Sequence, residues 1–250
     1  MMHLRIAGRL AAMLVLLIGC VALYYLWRLL PGRNPWPQNF LGAMAKLAGV
    51  EVTAIGTPAR RALFLANHAS WIDILALAGR TDTAFVAHSG LAGHGALKAL
   101  CDMNRTVFIA RHDRASVSEQ VGQVRAAMAD AKPLTIFPEG TTSDGTHFLP
   151  FKSSLLSAID PPPPGVAIQP VLLDYGPGAA DVAWLGSEPG PANFFKILGR
   201  PGPTRLTIHF LPPLAGEALT NRKTIAAAAE AAVRDACGAA RALPNPAPLR

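Results

Sequence analysis

Between Arg9 and Arg28 run 18 residues without a charge, 10–27, and no other stretch limits the chain's architecture as strongly. A run of this length sits at the lower end of what spans a hydrocarbon core as a helix, roughly 17–25 residues. A cleaved signal peptide is the competing reading, and Leu17-Ile18-Gly19-Cys20 even resembles a lipoprotein processing box. The apolar run nevertheless continues through Val21-Ala22-Leu23-Tyr24-Tyr25-Leu26, where a signal peptide turns polar. The segment therefore reads as an uncleaved anchor, with Tyr24, Tyr25 and Trp27 as an interfacial aromatic belt at one end. Arg5 and Arg9 balance Arg28 and Arg33, so charge does not set the orientation, and a single span and a shallow monotopic insertion both fit.

Pro31-Gly32-Arg33-Asn34-Pro35-Trp36-Pro37 breaks that helix. The chain divides into an N-terminal membrane anchor over 1–35, a folded domain over 36–243 and a flexible tail over 244–250. Phe40, Leu41, Met44, Leu47 and Ala48 recur at helical spacing and predict a second helix lying on the membrane or the domain. Beyond residue 50, apolar β-rich runs alternate with helical patterns. Strands are expected over 62–66, 83–87, 106–110, 134–137, 166–173, 182–185 and 205–211, and helices over 72–78, 96–103, 116–131, 153–159 and 224–241. Apolar runs that are continuous rather than alternating imply a sheet covered on both faces. The fold class is α/β: a mixed, mostly parallel sheet flanked by helices, preceded by an N-terminal membrane helix. The chain's 250 residues suffice for one such domain with a sizeable core.

A formal net charge of +7 suits either nucleic acid or anionic lipid. The basic residues are scattered, with no aromatic-basic platform, so nucleic-acid binding is not expected. Attraction to anionic headgroups fits better, at about 1 kcal/mol per basic residue near the surface. Cys20, Cys101 and Cys237 form neither a CxxC pair nor a metal-ligand spacing, so no disulfide framework, metal site or cofactor is expected.

A histidine beside a carboxylate is the minimal device for drawing a proton off a hydroxyl, because the carboxylate fixes the tautomer and stabilises the imidazolium. Asn67-His68-Ala69-Ser70-Trp71-Ile72-Asp73 carries such a pair just past the expected strand over 62–66, with Ser70 as N-cap of the next helix. Residues five apart on an ideal helix lie about 140° apart. The pair meets only if His68 stands in the loop and Asp73 in the helix's first turn. The plainer reading, that Asp73 favours a helix N-terminus and His68 is structural, is equally open on these residues alone.

Leu134-Thr135-Ile136-Phe137 ends in Pro138-Glu139-Gly140-Thr141-Thr142-Ser143. A carboxylate, a glycine and three hydroxyls at a strand's carboxyl end make an α/β ligand crevice, or simply a capped turn. The expected strand over 106–110 delivers Arg111, followed by His112 and Arg114. Arginine there suits an anionic headgroup, or is a solvated charge.

Taken in order, Asn67-His68-x4-Asp73, Val107-Phe108-Ile109-x-Arg111 and Phe137-Pro138-Glu139-Gly140-Thr141 resemble three motifs of the glycerolipid and lysophospholipid acyltransferases, which include the bacterial 1-acyl-glycerol-3-phosphate acyltransferases. Val166-Ala167-Ile168-Gln169-Pro170-Val171 resembles a fourth, and the likeness covers roughly residues 50–215. It implies that His68 is the general base, that Asp73 holds it, and that the acceptor hydroxyl attacks an acyl thioester directly. It also implies that Arg111 and Glu139 orient the acceptor's polar head, that Gly140 admits close approach, and that Thr141 and Thr142 lie in the same substrate site.

Family members that use lysophosphatidate tend to carry arginine where this chain has Thr142, and lysine where it has His88. The run over 137–154 looks closer to the lyso-ornithine lipid branch, with Lys152 and Arg111 available for a phosphate or a carboxylate. By the same resemblance the co-substrate is acyl-ACP or acyl-CoA. The enzyme would then sit at the inner (cytoplasmic) membrane among membrane lipids, with its catalytic domain on the cytoplasmic side. Two rival readings are a serine-type lipid hydrolase, for which no GxSxG elbow exists, and a non-catalytic lipid-binding protein.

Overall fold

A computed structural model describes residues 1–88, 95–109, 117–129, 132–186 and 188–242. Two helices, α1 (Met2–Trp27) and α2 (Trp36–Leu47), precede β1 (Val50–Ile55), β2 (Ala62–Ala66), α3 (Ile72–Thr81) and β3 (Ala84–His88). Next come α4 (Gly95–Met103), β4 (Val107–Ile109), α5 (Val117–Ala129) and β5 (Leu134–Ile136). A 3-10 stretch, Ser153–Ile159, leads to β6 (Ala167–Asp174), α6 (Ala179–Val182), α7 (Gly190–Leu198), β7 (Thr204–Phe210) and α8 (Arg222–Ala242).

Among the described residues the strands form one seven-stranded sheet in the order β1-β7-β6-β2-β5-β3-β4. Every neighbouring pair is parallel except β6 with β7. All five residues of β2 are buried, as its continuous Ala-Leu-Phe-Leu-Ala run requires of a central strand covered on both faces. Phe64 and Ala66 join one core cluster with residues of α2, α3 and α7. Leu63 and Leu65 join the other with α5, α8 and the 3-10 stretch. Burying each such Phe or Leu side chain contributes about 1.5–3 kcal/mol. Because β6, β2 and β5 are adjacent and parallel, residues just past Asp174, Ala66 and Ile136 emerge at one edge of the sheet.

The 26-residue α1 is long and apolar enough to cross a membrane. It nevertheless lies along the domain. Ile6, Leu10 and Met13 pack into the α2/α3/α7 core at a spacing of three to four residues. Arg5 Nη1 donates to Gly199 O at 2.8 Å and Arg9 Nη1 to Leu198 O at 2.8 Å, so two cations satisfy the carboxyl end of α7. At the other end of α1, Asn34 Nδ2 donates to Tyr24 O at 3.0 Å. Leu4, Leu14, Val15, Ile18 and Leu26 stay exposed on the opposite face, as do Leu29 and Leu30 just past the helix. The Arg33 guanidinium and the buried Lys132 ammonium (2.7 Å) both meet the buried Asp82 carboxylate that ends α3.

Four sequence expectations change. Residues 182–185 form no strand: α6 ends at Val182, and the backbone beyond it bonds loops and side chains instead of a neighbouring strand. Ala183 O accepts Asn193 Nδ2 at 3.0 Å, and Trp184 N donates to Ala69 O at 2.9 Å. β1 is missed because, as an edge strand, it alternates buried and exposed residues instead of running continuously apolar. α7 hides behind Pro189-Gly190-Pro191, where proline sits in the first turn that tolerates it. Residues 153–159 coil as 3-10 rather than α. The expected tail over 244–250 lies outside the described residues.

Candidate active site

Asn67 extends the sheet with its side chain once β2 ends. Its Nδ2 donates to Leu173 O at 3.0 Å, and its Oδ1 accepts Leu173 N at 2.7 Å, clamping the loop to β6. The backbone of His68 is equally committed. Its N–H donates to Glu139 Oε1 at 2.9 Å, and its carbonyl accepts Ser143 N at 2.7 Å and Ser143 Oγ at 3.1 Å. The imidazole is thereby held by its own main chain against the Phe137 ring, stacked at 4.0 Å between centroids and 13° between planes.

Asp73 stands in the first turn of α3 and receives His68 Nδ1 on Oδ2 at 2.8 Å. The same Oδ2 accepts Ala69 N at 2.7 Å and Ser70 N at 2.9 Å, while Oδ1 accepts the Tyr175 hydroxyl at 2.5 Å. Asp73 thus satisfies loop N–H groups at the amino end of α3 and holds the histidine at once; the helix-cap and acid-base readings are not alternatives. The expected cap at Ser70 does not form: Trp71 occupies the N-cap position, and Ser70 Oγ is buried without a partner among the described residues. Asp73 is 0% exposed and the His68 side chain 17%, so only the imidazole is within reach of a substrate. With Nδ1 facing a carboxylate, Nε2 is the nitrogen left to accept a proton. Among the described residues no serine hydroxyl bonds the ring.

Glu139 points inward rather than toward the crevice. It is fully buried, and its second oxygen accepts Leu149 N at 3.2 Å. Burial holds its carboxyl above the ordinary value, and the hydrogen bonds from His68 N and Leu149 N offset part of that rise. Gly140 adopts φ +74°, and a Cβ there would stand 3.3 Å from Lys152 Nζ. The left-handed φ is what calls for glycine in this turn. Thr141 and Lys152 are exposed at the rim. Thr142 Oγ1 donates to Trp184 O, fastening this loop to the segment that also holds Ala69 O. Arg111, His112 and Arg114 lie outside the described residues, and of His88 the structure describes the backbone that closes β3.

A family model described as Acyltransferase matches residues 50–174. The chain belongs to the acyltransferase family. Its lyso-ornithine lipid O-acyltransferase relative from Rhodobacter capsulatus is 30% identical over 94% of this chain and 90% of that protein. The one from Rhizobium meliloti is 34% identical over 68% of this chain and 61% of that protein. A 1-acyl-sn-glycerol-3-phosphate acyltransferase from Neisseria gonorrhoeae is 34% identical over 54% and 52% of the two chains. The crystal structure of the 1-acyl-sn-glycerophosphate acyltransferase from Thermotoga maritima shares the fold, with a TM-score of 0.67 at 19% identity, covering 96% of this chain and 99% of that one.

In this acyltransferase the sequence singles out the His68–Asp73 pair but assigns no role to Asn67, Trp184 or Tyr175. Asn67 had the clearest signal, a polar side chain at the end of a fully apolar strand, where an amide can continue the ladder.

Proposed function

We propose that this acyltransferase moves a fatty acyl group from an acyl thioester, acyl-ACP or acyl-CoA, to the free hydroxyl of a lysolipid. Lyso-ornithine lipid is the preferred acceptor and 1-acyl-glycerol-3-phosphate the second. The observation that carries the reaction class is the 2.8 Å contact of His68 Nδ1 with Asp73 Oδ2, which leaves Nε2 to act as base. In the step itself the hydroxyl proton passes to Nε2, and the hydroxyl oxygen bonds to the thioester carbonyl carbon. The tetrahedral adduct collapses with loss of the C–S bond, and the departing sulfur takes the proton from the imidazolium. The products are an ester and a free thiol, with no acyl-enzyme. Glu139 acts here by tethering the His68 backbone, not by touching the acceptor head.

The choice of acceptor is supported by the names of the relatives and by Thr142. A phosphate monoester carries about −1.5 to −2 charges and calls for several cations. The ornithine carboxylate carries one, a charge that the exposed Lys152 can match. Purified enzyme should release thiol from one acyl thioester faster with lyso-ornithine lipid than with lysophosphatidate. The reverse order would reassign the acceptor, and release with neither would remove the reading.

We also propose that α1 lies in one leaflet of the inner membrane, apolar face outward, with the catalytic domain on the cytoplasmic side. The ties of Arg5, Arg9 and Asn34 at both ends of α1 support this. In a variant lacking the native cysteines, probes introduced by His3→Cys or by Arg28→Cys, exposed polar positions at the two ends of α1, should both react with an impermeant maleimide from the cytoplasmic face. Labelling from opposite faces would establish a span.

A further inference from the structure

Tyr175 belongs to none of the motifs that mark the site, yet its hydroxyl is the single donor on Asp73 Oδ1 among the described residues, at 2.5 Å. The residue follows β6, 102 positions from Asp73 in sequence, and reaches it because β6 is the immediate neighbour of β2. We infer that Tyr175 is a positioning residue for acyl transfer: its phenol fixes the Asp73 carboxylate so that Oδ2 stays aimed at His68.

Three observations on the page carry this. First, the two carboxylate oxygens are held by different parts of the molecule. Oδ2 is bonded within its own loop by Ala69 N and Ser70 N, and Oδ1 is bonded across the sheet by Tyr175. Donors on Oδ2 alone fix one oxygen and leave the buried Oδ1 without a partner; the anchor on Oδ1 satisfies it and holds the whole carboxylate plane. Second, the tyrosine itself is placed with little slack. It is 4% exposed and belongs to the same core cluster as Phe64, Ile72 and Val171. Asp174 Oδ1 accepts Gly176 N at 2.8 Å and so fixes the turn that follows it. Third, burial and the adjacent Asp73 charge push the phenol well above its ordinary value, so it remains a donor across the working pH range. A buried phenol whose hydroxyl ends on a catalytic carboxylate is placed to orient that carboxylate, and packing alone would be served by phenylalanine.

The inference rests on the His68–Asp73 mechanism proposed above, and its test separates the two. Tyr175→Phe removes one oxygen and leaves the ring's packing. It should lower kcat by about tenfold, the loss of one charge-assisted hydrogen bond, with KM for donor and acceptor unchanged. It should also displace the proton resonance of His68 Nδ1–H relative to the native enzyme. Incorporating 3,5-difluorotyrosine at position 175, a stronger donor in the same place, should keep kcat near native and displace that resonance the other way. This second variant keeps the test decisive if the phenylalanine form folds poorly. An unchanged kcat and an unchanged resonance in both variants would reduce Tyr175 to packing while leaving the acid-base pair standing. Native-level turnover in His68→Ala would instead remove the mechanism on which the inference rests.

Discussion

Replacing His68 with alanine should lower acyl transfer by at least about 10³-fold while the protein folds and binds membranes as before. The size follows from chemistry: without a base at Nε2, the acceptor hydroxyl must attack as a neutral oxygen or lose its proton to water. The survival of the fold follows from the hydrogen bonds. The structural contacts of His68 are made by its N–H to Glu139 and its carbonyl to Ser143, and alanine keeps every one. Asp73 would still receive Ala69 N, Ser70 N and the Tyr175 hydroxyl. The variant forfeits the stacking on Phe137 and the Nδ1 contact, about 1–2 kcal/mol together. Thiol release from an acyl thioester, read beside thermal unfolding and vesicle flotation, checks the prediction. More than a tenth of native turnover in a folded preparation would disprove the base assignment.

His68 and Asp73 were legible because their meeting depends on one local event, the strand-to-helix turn between them, which a short window of sequence can express. Tyr175 was not, because its contact with Asp73 depends on the pairing of β6 with β2. No periodicity encodes which strands become neighbours. Glu139 shows the converse: its motif marked it as orienting the acceptor head, whereas in the fold both its oxygens turn inward to main-chain N–H groups. The central strands read well since burial on both faces leaves an uninterrupted apolar run. β1, half-buried at the sheet edge, alternates and escapes that pattern. For α1 the sequence reported length and hydrophobicity faithfully. Both faces are apolar, so composition could not say that Ile6, Leu10 and Met13 would seek the domain while Leu14, Val15 and Ile18 stay outside.

Asp73→Asn should cost about 10²–10⁴-fold in kcat and about 1–3 kcal/mol in stability, for the one Tyr175 O–H it leaves unpaired, and it isolates charge from geometry. An asparagine amide offers one oxygen and one NH₂ group. Three donors, His68 Nδ1, Ala69 N and Ser70 N, converge on Oδ2 within 2.9 Å, so placing the NH₂ there would set donor against donor three times over. The amide must therefore keep its oxygen at the Oδ2 position and turn its NH₂ toward Tyr175. The phenol oxygen can accept from it after the hydroxyl rotates. His68 then keeps its Nδ1–H partner and its tautomer, and what disappears is the negative charge that stabilises the imidazolium as the acceptor proton arrives. Asp73→Ala is the poorer probe. It strands two loop N–H groups and a buried hydroxyl, at about 1–3 kcal/mol for each unsatisfied group, and mixes unfolding with catalysis. The measurement is kcat and both KM values for the asparagine variant, beside its unfolding temperature. Loss of kcat with unchanged KM values in a protein that still folds assigns Asp73 its electrostatic role. Full activity would show that this acyltransferase needs the carboxylate only to organise the loop, and that the imidazole carries its charge unaided.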